Sequence, residues 1–175
     1  MIQPMPNTIT QLRLRPVSRD AFAPFGTLVE MNRPTTAVNE GTALRHDVHA
    51  FAAADARAGF RLVTSIYDAE ARDLRALRIL ERHANSPQLI MPLGGGDHAV
   101  IVCLSRSNGG PDFETLTAFR CASRQGVIYR PGLWHHPIAA LGRAAQFLVQ
   151  SWQEGSDADC EIVTVTARGI LVDAA

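Results

Sequence analysis

Short runs of alternating or apolar residues, each four to seven residues long and bounded by turn residues, recur along most of this chain. Alternation of apolar and polar residues is typical of strands that bury one face, and strands with turns between them predict a sandwich or barrel rather than βαβ units. The sequence therefore predicts an all-β fold with a few short helices. The predicted strands are 12–15, 27–30, 44–50, 60–66, 88–93, 98–104, 116–121, 126–129, 137–141, 146–152 and 161–166.

Two stretches do not follow the strand pattern. Ser18 can cap a helical turn that ends before Gly26. Residues 68–80 are ambiguous, because their leucines fall at helical spacing and their arginines on another face. We expect a helical turn at the beginning of this stretch and a strand from about Leu77.

The length of 175 residues suits one domain with a sizeable core. We take residues 1–175 as that domain, with its core between about residues 12 and 166. Flexible segments are expected at 1–10, 32–41 and 173–175. The segment 31–41 has the composition of a loop rather than of a domain linker.

The charge balance constrains the ligand. Seventeen basic residues, all arginine, stand against seventeen acidic ones, without a basic run. This gives no electrostatic footprint for nucleic acid and favours a small neutral or anionic molecule. Without lysine, a covalent imine with a substrate carbonyl is excluded.

The spacing of the cysteines and the hydropathy of the chain indicate in which cellular compartment the protein works. Cys103, Cys121 and Cys160 are far apart and form neither a disulfide framework nor a zinc spacing, and Cys103 sits in an apolar run that favours a buried, inert thiol. The chain shows no signal peptide and no stretch long enough to span a membrane. We expect a protein of the reducing cytoplasm that does not associate with membranes.

Two segments about fifty residues apart hold most of the reactive side chains: residues 81–94 and residues 126–137. In the first, Glu81 and His83 are two apart, so on a strand both point to one face. Gln88 follows after a small turn. In the second, a Pro-Gly turn delivers His135 to the next strand. If the segments meet across a barrel they form one polar pocket; otherwise these are solvated or turn residues.

The spacing of these residues resembles the two motifs of the cupin superfamily. Glu81 takes the position of the first histidine, His83 the second, Gln88 that of the glutamate, and His135 that of the downstream histidine. Metal-binding cupins usually offer three imidazoles and a carboxylate to iron, manganese, nickel or zinc. Here the ligand set would be two imidazoles, a carboxylate and an amide, a weak ligand. A divalent metal is therefore an open possibility, and no cofactor is certain.

At the family level the chain resembles the bacterial ureidoglycolate lyases of purine and allantoin breakdown. The likeness spans roughly residues 12–161. Its specific pieces are Leu80-Glu81-Arg82-His83, Ile90-Met91-Pro92-Leu93 after Gln88, Trp134-His135-His136-Pro137, Phe22-Ala23-Pro24-Phe25-Gly26, Arg45-His46-Asp47, Pro111-Asp112 and Gly155-Ser156-Asp157. The resemblance implies a cupin-like double-stranded β-helix, or jelly-roll barrel, that forms homodimers. It also implies cleavage of (S)-ureidoglycolate into glyoxylate and urea.

That elimination needs a base for the hydroxyl proton, an acid for the departing nitrogen, and a partner for the carboxylate. Under the resemblance, His83 and His135 are the natural acid and base. Glu81 orients one of them or is the base itself, and Tyr129 adds a hydroxyl.

The expected substrate contacts come from residues on both segments and from one distant pair. Gln88 suits the ureido group. Arg130 is the first candidate for the carboxylate, with Arg45 and Arg82 as weaker ones. The remaining substrate-binding candidates are His136, His46 and Asp47; the last two form a lid, a wall of the partner subunit's pocket, or a surface pair.

The chain departs from the family pattern close to the expected pocket. Residues 65–68 stand where an arginine is expected, Pro87 replaces a common threonine, and the turn 130–132 differs. Three alternatives therefore stay open: a paralogue acting on a related ureido compound, a metal-dependent cupin such as a dioxygenase or isomerase acting on a small hydroxy or keto acid, and a noncatalytic binding protein.

Overall fold

Two sheets face each other in the computed structural model, which describes residues 10–30, 35–51, 59–166 and 169–173. The strands are β1 Thr10–Arg13, β2 Arg15–Pro16, β3 Gly26–Val29, β4 Thr35–Val38, β5 Ala43–His46, β6 Arg61–Ala69, β7 Ile79–Arg82, β8 Gln88–Gly94, β9 His98–Cys103, β10 Thr117–Cys121, β11 Gly126–Tyr129, β12 Trp134–His135, β13 Ala139–Ala140, β14 Ala145–Gln153, β15 Glu161–Thr164 and β16 Ile170–Asp173. The larger sheet has the order β15-β7-β12-β9-β10-β2, with β13 also pairing with β9, and the smaller has the order β3-β11-β8-β14-β6. Neighbouring strands are antiparallel except β2 and β10, which pair in parallel. The all-β prediction is confirmed.

The larger sheet is buried on both faces. Along β9, Val100 and Val102 pack between the two sheets, while Ile101 and Cys103 belong to a second core on the opposite face. Strands β1 and β16, which pair in parallel, contribute to that second core. This explains why β9 is buried at every position, whereas β14 in the smaller sheet alternates.

Helix α1, Arg19–Phe22, confirms the predicted turn. The Ser18 side chain accepts a hydrogen bond from the Ala21 backbone N–H at 3.3 Å and so caps the helix. Two short 3-10 turns span Phe113–Thr115 and Asp157–Asp159.

The expected helical turn early in residues 68–80 is wrong. Strand β6 continues to Ala69, and no helix forms before β7. The backbone donors of this stretch are satisfied elsewhere: Arg72 donates to the Ala140 carbonyl, Leu77 to the Ile170 carbonyl, and Arg75 to the Asp73 side chain. The buried leucines at helical spacing reach the second core from an extended chain, because tertiary partners replaced the helical hydrogen bonds.

Several other predicted element boundaries also differ from those in the structure. Residues 35–38, expected in a loop, form β4 and pair with β5 across a turn in which Asn39 and Glu40 have positive φ. The strand predicted at 44–50 ends at His46. The core runs past the expected end at 166, since Ile170 and Val172 are buried. Segments 1–9, 32–34 and 174–175 lie outside the described residues.

Two findings bear on the expected location. Within the described ranges no helix is long and apolar enough to cross a membrane. Cys103 and Cys121 are buried free thiols, as was predicted for Cys103, and burial raises the pKa of each to about 12.

Candidate active site

The two sequence segments meet on the inner face of the larger sheet. Strand β12 pairs with β7 so that His135 lies directly opposite Glu81, and His83 follows β7 by one residue. Possible ligand atoms of Glu81, His83 and His135 all lie within 4.8 Å of one another. The His83 and His135 rings stack with their centroids 5.5 Å apart. The predicted pocket therefore exists as one cluster of a carboxylate and two imidazoles.

Backbone carbonyls fix the tautomers of both histidines. Nδ1 of His83 lies 2.7 Å from the Asp159 carbonyl oxygen, and Nδ1 of His135 lies 3.0 Å from that of Leu133. Because a carbonyl can only accept, each Nδ1 carries the proton and each neutral Nε2 presents a lone pair. The lone pair of His135 is thus available for a proton or a cation at the centre of the cluster, whereas that of His83 already accepts a hydrogen bond from Gln88.

Gln88, the first residue of β8, completes the cluster. Its amide nitrogen donates to His83 Nε2 at 2.8 Å. The amide oxygen Oε1 is buried and accepts no hydrogen bond from the described residues. A buried acceptor without a donor is costly. A ligand with N–H groups would relieve this cost, which supports the predicted binding role of Gln88.

Electrostatics keep the cluster's carboxylate charged and His83 neutral. Burial acts to raise the pKa of Glu81, but contact with His135 and the nearby imidazoles outweigh it, and the pKa is lowered overall. Burial and the neighbouring His135 lower the pKa of His83. Near neutral pH both groups therefore accept protons and neither donates one.

A cavity of about 820 Å³ opens onto this cluster. Glu81, His83 and Gln88 border it, together with Tyr67, Arg72, Pro137, Ile138, Gln153, Ser156, Asp159 and Cys160, among others. His135 does not border it and is 1% exposed. Its Nε2 lies 3.3 Å from Glu81 Oε1 and forms no hydrogen bond with a described residue. His135 therefore stands behind Glu81, out of reach of a ligand in the cavity.

Tyr129 is placed differently from expectation. Its ring is 3% exposed and stacks on His135 with centroids 4.3 Å apart. It is absent from the wall of the large cavity. Strand β11 directs this side chain into the core between the sheets, so Tyr129 packs behind His135 rather than offering a hydroxyl to the ligand.

His136 points away from the cluster. It borders a second cavity of about 430 Å³ with Arg72, Arg75 and Arg78. Its Nδ1 lies 2.7 Å from the Pro137 carbonyl oxygen, and burial lowers its pKa to about 4. Adjacent residues of an extended chain face opposite sides, so His135 and His136 cannot share one pocket.

The expected carboxylate partners also lie elsewhere. Arg130 borders a different, shallower cavity. Arg82 holds Glu161 through two nitrogens and lies over the Trp134 ring at 4.7 Å. Arg45 pairs with Asp47 at 3.1 Å on the surface. His46, on β5, and Asp47 are not among the residues that border the large cavity. The three expected roles of His46 and Asp47, as a lid, a wall of the partner subunit's pocket or a surface pair, stay predictions.

Two residues of the site were not predicted from the sequence. Arg72 borders the large cavity but lies in the stretch predicted as a helical turn, where its regular spacing with Arg75 and Arg78 suggested a solvated face. Asp159 orients His83 through its backbone carbonyl, which any residue could provide. Only Arg72 could have been suspected from the sequence, because it is an arginine within ten residues of Glu81.

The cluster could also hold a metal ion. Histidines that bind metals usually donate their second N–H to a carbonyl or carboxylate, which both His83 and His135 do. Two imidazoles and one carboxylate form a set suited to a divalent transition metal. Glu81, His83 and His135 therefore fit a metal, whereas Gln88 now directs its amide nitrogen at His83.

Comparison with known proteins agrees with this geometry. The family model described as ureidoglycolate lyase matches residues 9–172. A ureidoglycolate lyase of Rhizobium etli (strain CIAT 652) is 38% identical over 79% of this chain and 82% of its own length. One of Pseudomonas putida (strain W619) is 32% identical over 92% and 95%.

Among solved structures, RmlC from Streptococcus suis in complex with dTDP-D-xylose superposes with a TM-score of 0.50 at 13% identity, covering 86% of this chain and 75% of that chain. That likeness bears on the fold alone and agrees with a cupin-like β-barrel. Taken with the family model and the relatives, the arrangement of Glu81, His83 and Gln88 around one cavity leads to one conclusion: this chain belongs to the ureidoglycolate lyase family.

Proposed function

We propose that this protein splits (S)-ureidoglycolate into glyoxylate and urea by an acid-base elimination in the large cavity. The observation that carries the proposal is the convergence of an ionised Glu81, a neutral His83 and an unsatisfied Gln88 oxygen on one space, in a chain of this family. The alternative of a dioxygenase or isomerase gains no support from these contacts.

Glu81 is the group that moves the proton. In ureidoglycolate the hydroxyl group and the departing nitrogen are attached to the same carbon, so a single carboxylate can reach both. Since Glu81 and His83 are both proton acceptors at rest, the proton needed by the departing nitrogen comes from the hydroxyl group itself. Glu81 takes that proton as the C=O bond of glyoxylate forms, the C–N bond breaks, and Glu81 returns the proton to the urea nitrogen.

The other residues orient Glu81 and the substrate. His135, 3.3 Å behind Glu81, packs against the carboxylate and limits its movement. Gln88 Oε1 accepts hydrogen bonds from the ureido N–H groups. His83, fixed by the Asp159 carbonyl, holds the Gln88 amide in its orientation.

The deciding experiment adds racemic ureidoglycolate to the purified protein and follows urea and glyoxylate above the uncatalysed background. Glu81→Gln keeps the shape of the side chain but removes the base, and we expect kcat to fall by about 10²- to 10⁴-fold. Glu70→Gln is the matched control, because Glu70 borders the same cavity without touching the cluster. A wild-type rate equal to background would refute the proposed function.

We propose further that Glu81, His83 and His135 hold a divalent metal, such as nickel, zinc, manganese or iron. When bound, it would act as a Lewis acid on the oxygens of the substrate. Elemental analysis of the purified protein and activity after chelation test this. A protein free of metal and fully active would exclude a required metal.

A second copy of the chain is the partner we propose, giving a homodimer. The outer face of the smaller sheet carries apolar side chains that the described chain leaves uncovered, among them Leu62 (47% exposed), Ile66 (55%) and Leu93 (53%). An apolar sheet face of this kind suits a self-complementary contact. Light scattering tests it: Ile66→Glu should yield monomers, and a monomeric wild type would contradict the proposal.

We propose that the protein acts in the cytoplasm as one domain. Free Cys103, Cys121 and Cys160 suit a reducing compartment. The two sheets share one core, which favours unfolding as a single cooperative unit.

A further inference from the structure

The large cavity is short of positive charge for an anionic substrate. Four acidic residues border it: Asp68, Glu70, Glu81 and Asp159. Among the described residues, Arg72 is the only arginine on its wall, and the chain has no lysine. A substrate carboxylate placed among these acidic residues needs a cation on the wall to offset the repulsion.

The backbone at Arg72 is held firmly. Ala71 forms an isolated bridge with Ala140, and the Arg72 N–H donates to the Ala140 carbonyl at 3.0 Å. The segment is thereby attached to the strand that follows Pro137 and Ile138, which border the same cavity. Arg72 thus occupies a fixed place on the wall, although its side chain is exposed to solvent.

The guanidinium group of Arg72 forms no ion pair or hydrogen bond with any residue in the described ranges. By contrast, Arg75 pairs with Asp73 at 2.6 Å and Arg82 with Glu161 at 2.8 Å. Arg72 also borders the second cavity, beside His136, and its charge contributes to lowering the pKa of that histidine. Its donors are available where the two cavities adjoin.

We infer that Arg72 binds the carboxylate of the substrate and so sets the preference of this site for anionic carbinol ureas, an inference that rests on the proposed function. Arginine presents parallel N–H donors that match a carboxylate. The same cavity wall thus holds Arg72 for the carboxylate, Gln88 for the ureido group and Glu81 for the hydroxyl proton.

The test compares two substrates that differ only in the carboxylate. Ureidoglycolate carries it, and N-(hydroxymethyl)urea has hydrogen in its place and yields formaldehyde and urea by the same elimination. For Arg72→Gln we expect kcat/KM on ureidoglycolate to fall by about 10- to 100-fold, mainly through KM, because a charge-assisted hydrogen-bonded pair is lost. The slower turnover of N-(hydroxymethyl)urea should stay unchanged. The ratio of kcat/KM for ureidoglycolate to kcat/KM for N-(hydroxymethyl)urea should therefore fall.

Arg72→Lys should recover part of the preference, since it keeps the charge without the paired donors. Arg78→Gln is the matched control: Arg78 is exposed in the same segment and borders only the second cavity. It should leave both substrates unaffected. Equal loss on both substrates in Arg72→Gln, or loss in Arg78→Gln as large as in Arg72→Gln, overturns the inference.

A separate measurement distinguishes failure of the inference from failure of the proposed function. Calorimetric titration with glyoxylate reports carboxylate binding without turnover. If wild type binds glyoxylate and Arg72→Gln does not, while neither enzyme splits ureidoglycolate, the proposed reaction is wrong and the carboxylate contact stands. If wild type is active and glyoxylate binds both proteins equally well, the assignment of Arg72 is wrong.

Discussion

His98 makes the stability of this protein sensitive to acid. The side chain is 2% exposed, and neither ring nitrogen has a hydrogen-bond partner among the described residues. Its ring meets Phe147 edge-on with centroids 5.2 Å apart. Burial, only partly opposed by Asp97, lowers the pKa of His98 from 6.5 to about 4.

The sign of the effect follows from proton uptake. Below pH 6.5 the unfolded chain protonates His98, whereas the folded protein does not until about pH 4. The free energy of unfolding therefore falls as the pH drops through this window. At pH 5 the unfolded chain is about 1.5 pH units below its His98 pKa, whereas folded His98 is still mostly neutral. Protonation of the unfolded chain therefore lowers the free energy of unfolding by roughly 2 kcal/mol.

The assay is urea denaturation at pH 7.5 and pH 5.0. His98→Leu removes the titrating group and fills the site with an apolar side chain of similar volume. We expect the loss of stability between the two pH values to be about 2 kcal/mol smaller in His98→Leu than in wild type. His136, with its pKa also lowered to about 4, should keep a residual acid sensitivity in the variant.

Phe147→Leu is the control, because it disturbs the packing around His98 but keeps the imidazole. Its stability should fall by the same amount at both pH values. If His98→Leu loses as much stability on acidification as wild type, the imidazole is already solvated or protonated in the folded state, and the reasoning fails.

Two further predictions concern the fold. Gly26→Ala should cost at least about 3 kcal/mol of unfolding free energy, because a Cβ there would overlap the Ile128 carbonyl oxygen and push strands β3 and β11 apart; an unchanged denaturation midpoint would contradict this close approach. Arg82→Met should cost about 1–2 kcal/mol, since it removes the pair with Glu161 and the contact over Trp134. Part of that difference should disappear in 1 M salt, and equal stability of the two proteins would show that the pair contributes nothing.

The strands were predictable where burial leaves a local pattern in the sequence. The pattern gave β8 and β14 through alternating burial and β9 and β11 through continuous apolar runs between turns, each to within a residue or two. It failed in residues 68–80, where leucines at helical spacing reach a core through an extended chain. It also missed β16, whose burial depends on β1 at the other end of the chain.

The candidate site was predictable in part for a similar reason. Glu81 and His83 lie two apart, and their shared face needed no knowledge of the fold. Tyr129, His136 and Arg130 were assigned from their nearness in sequence to His135, and none of them borders the large cavity. At turns and strand ends, a neighbour in sequence often faces the opposite side of the sheet.

The sequence by itself determined the all-β class, the meeting of two polar segments and the likeness to one family, because each follows from local spacing. Only the tertiary structure decided which atoms face the ligand. The pairing of β12 with β7 sets His135 behind Glu81, and the bridge between Ala71 and Ala140 brings Arg72 to the cavity wall. Both contacts join residues more than fifty positions apart, and strand pairing over such distances depends on the packing of the whole core.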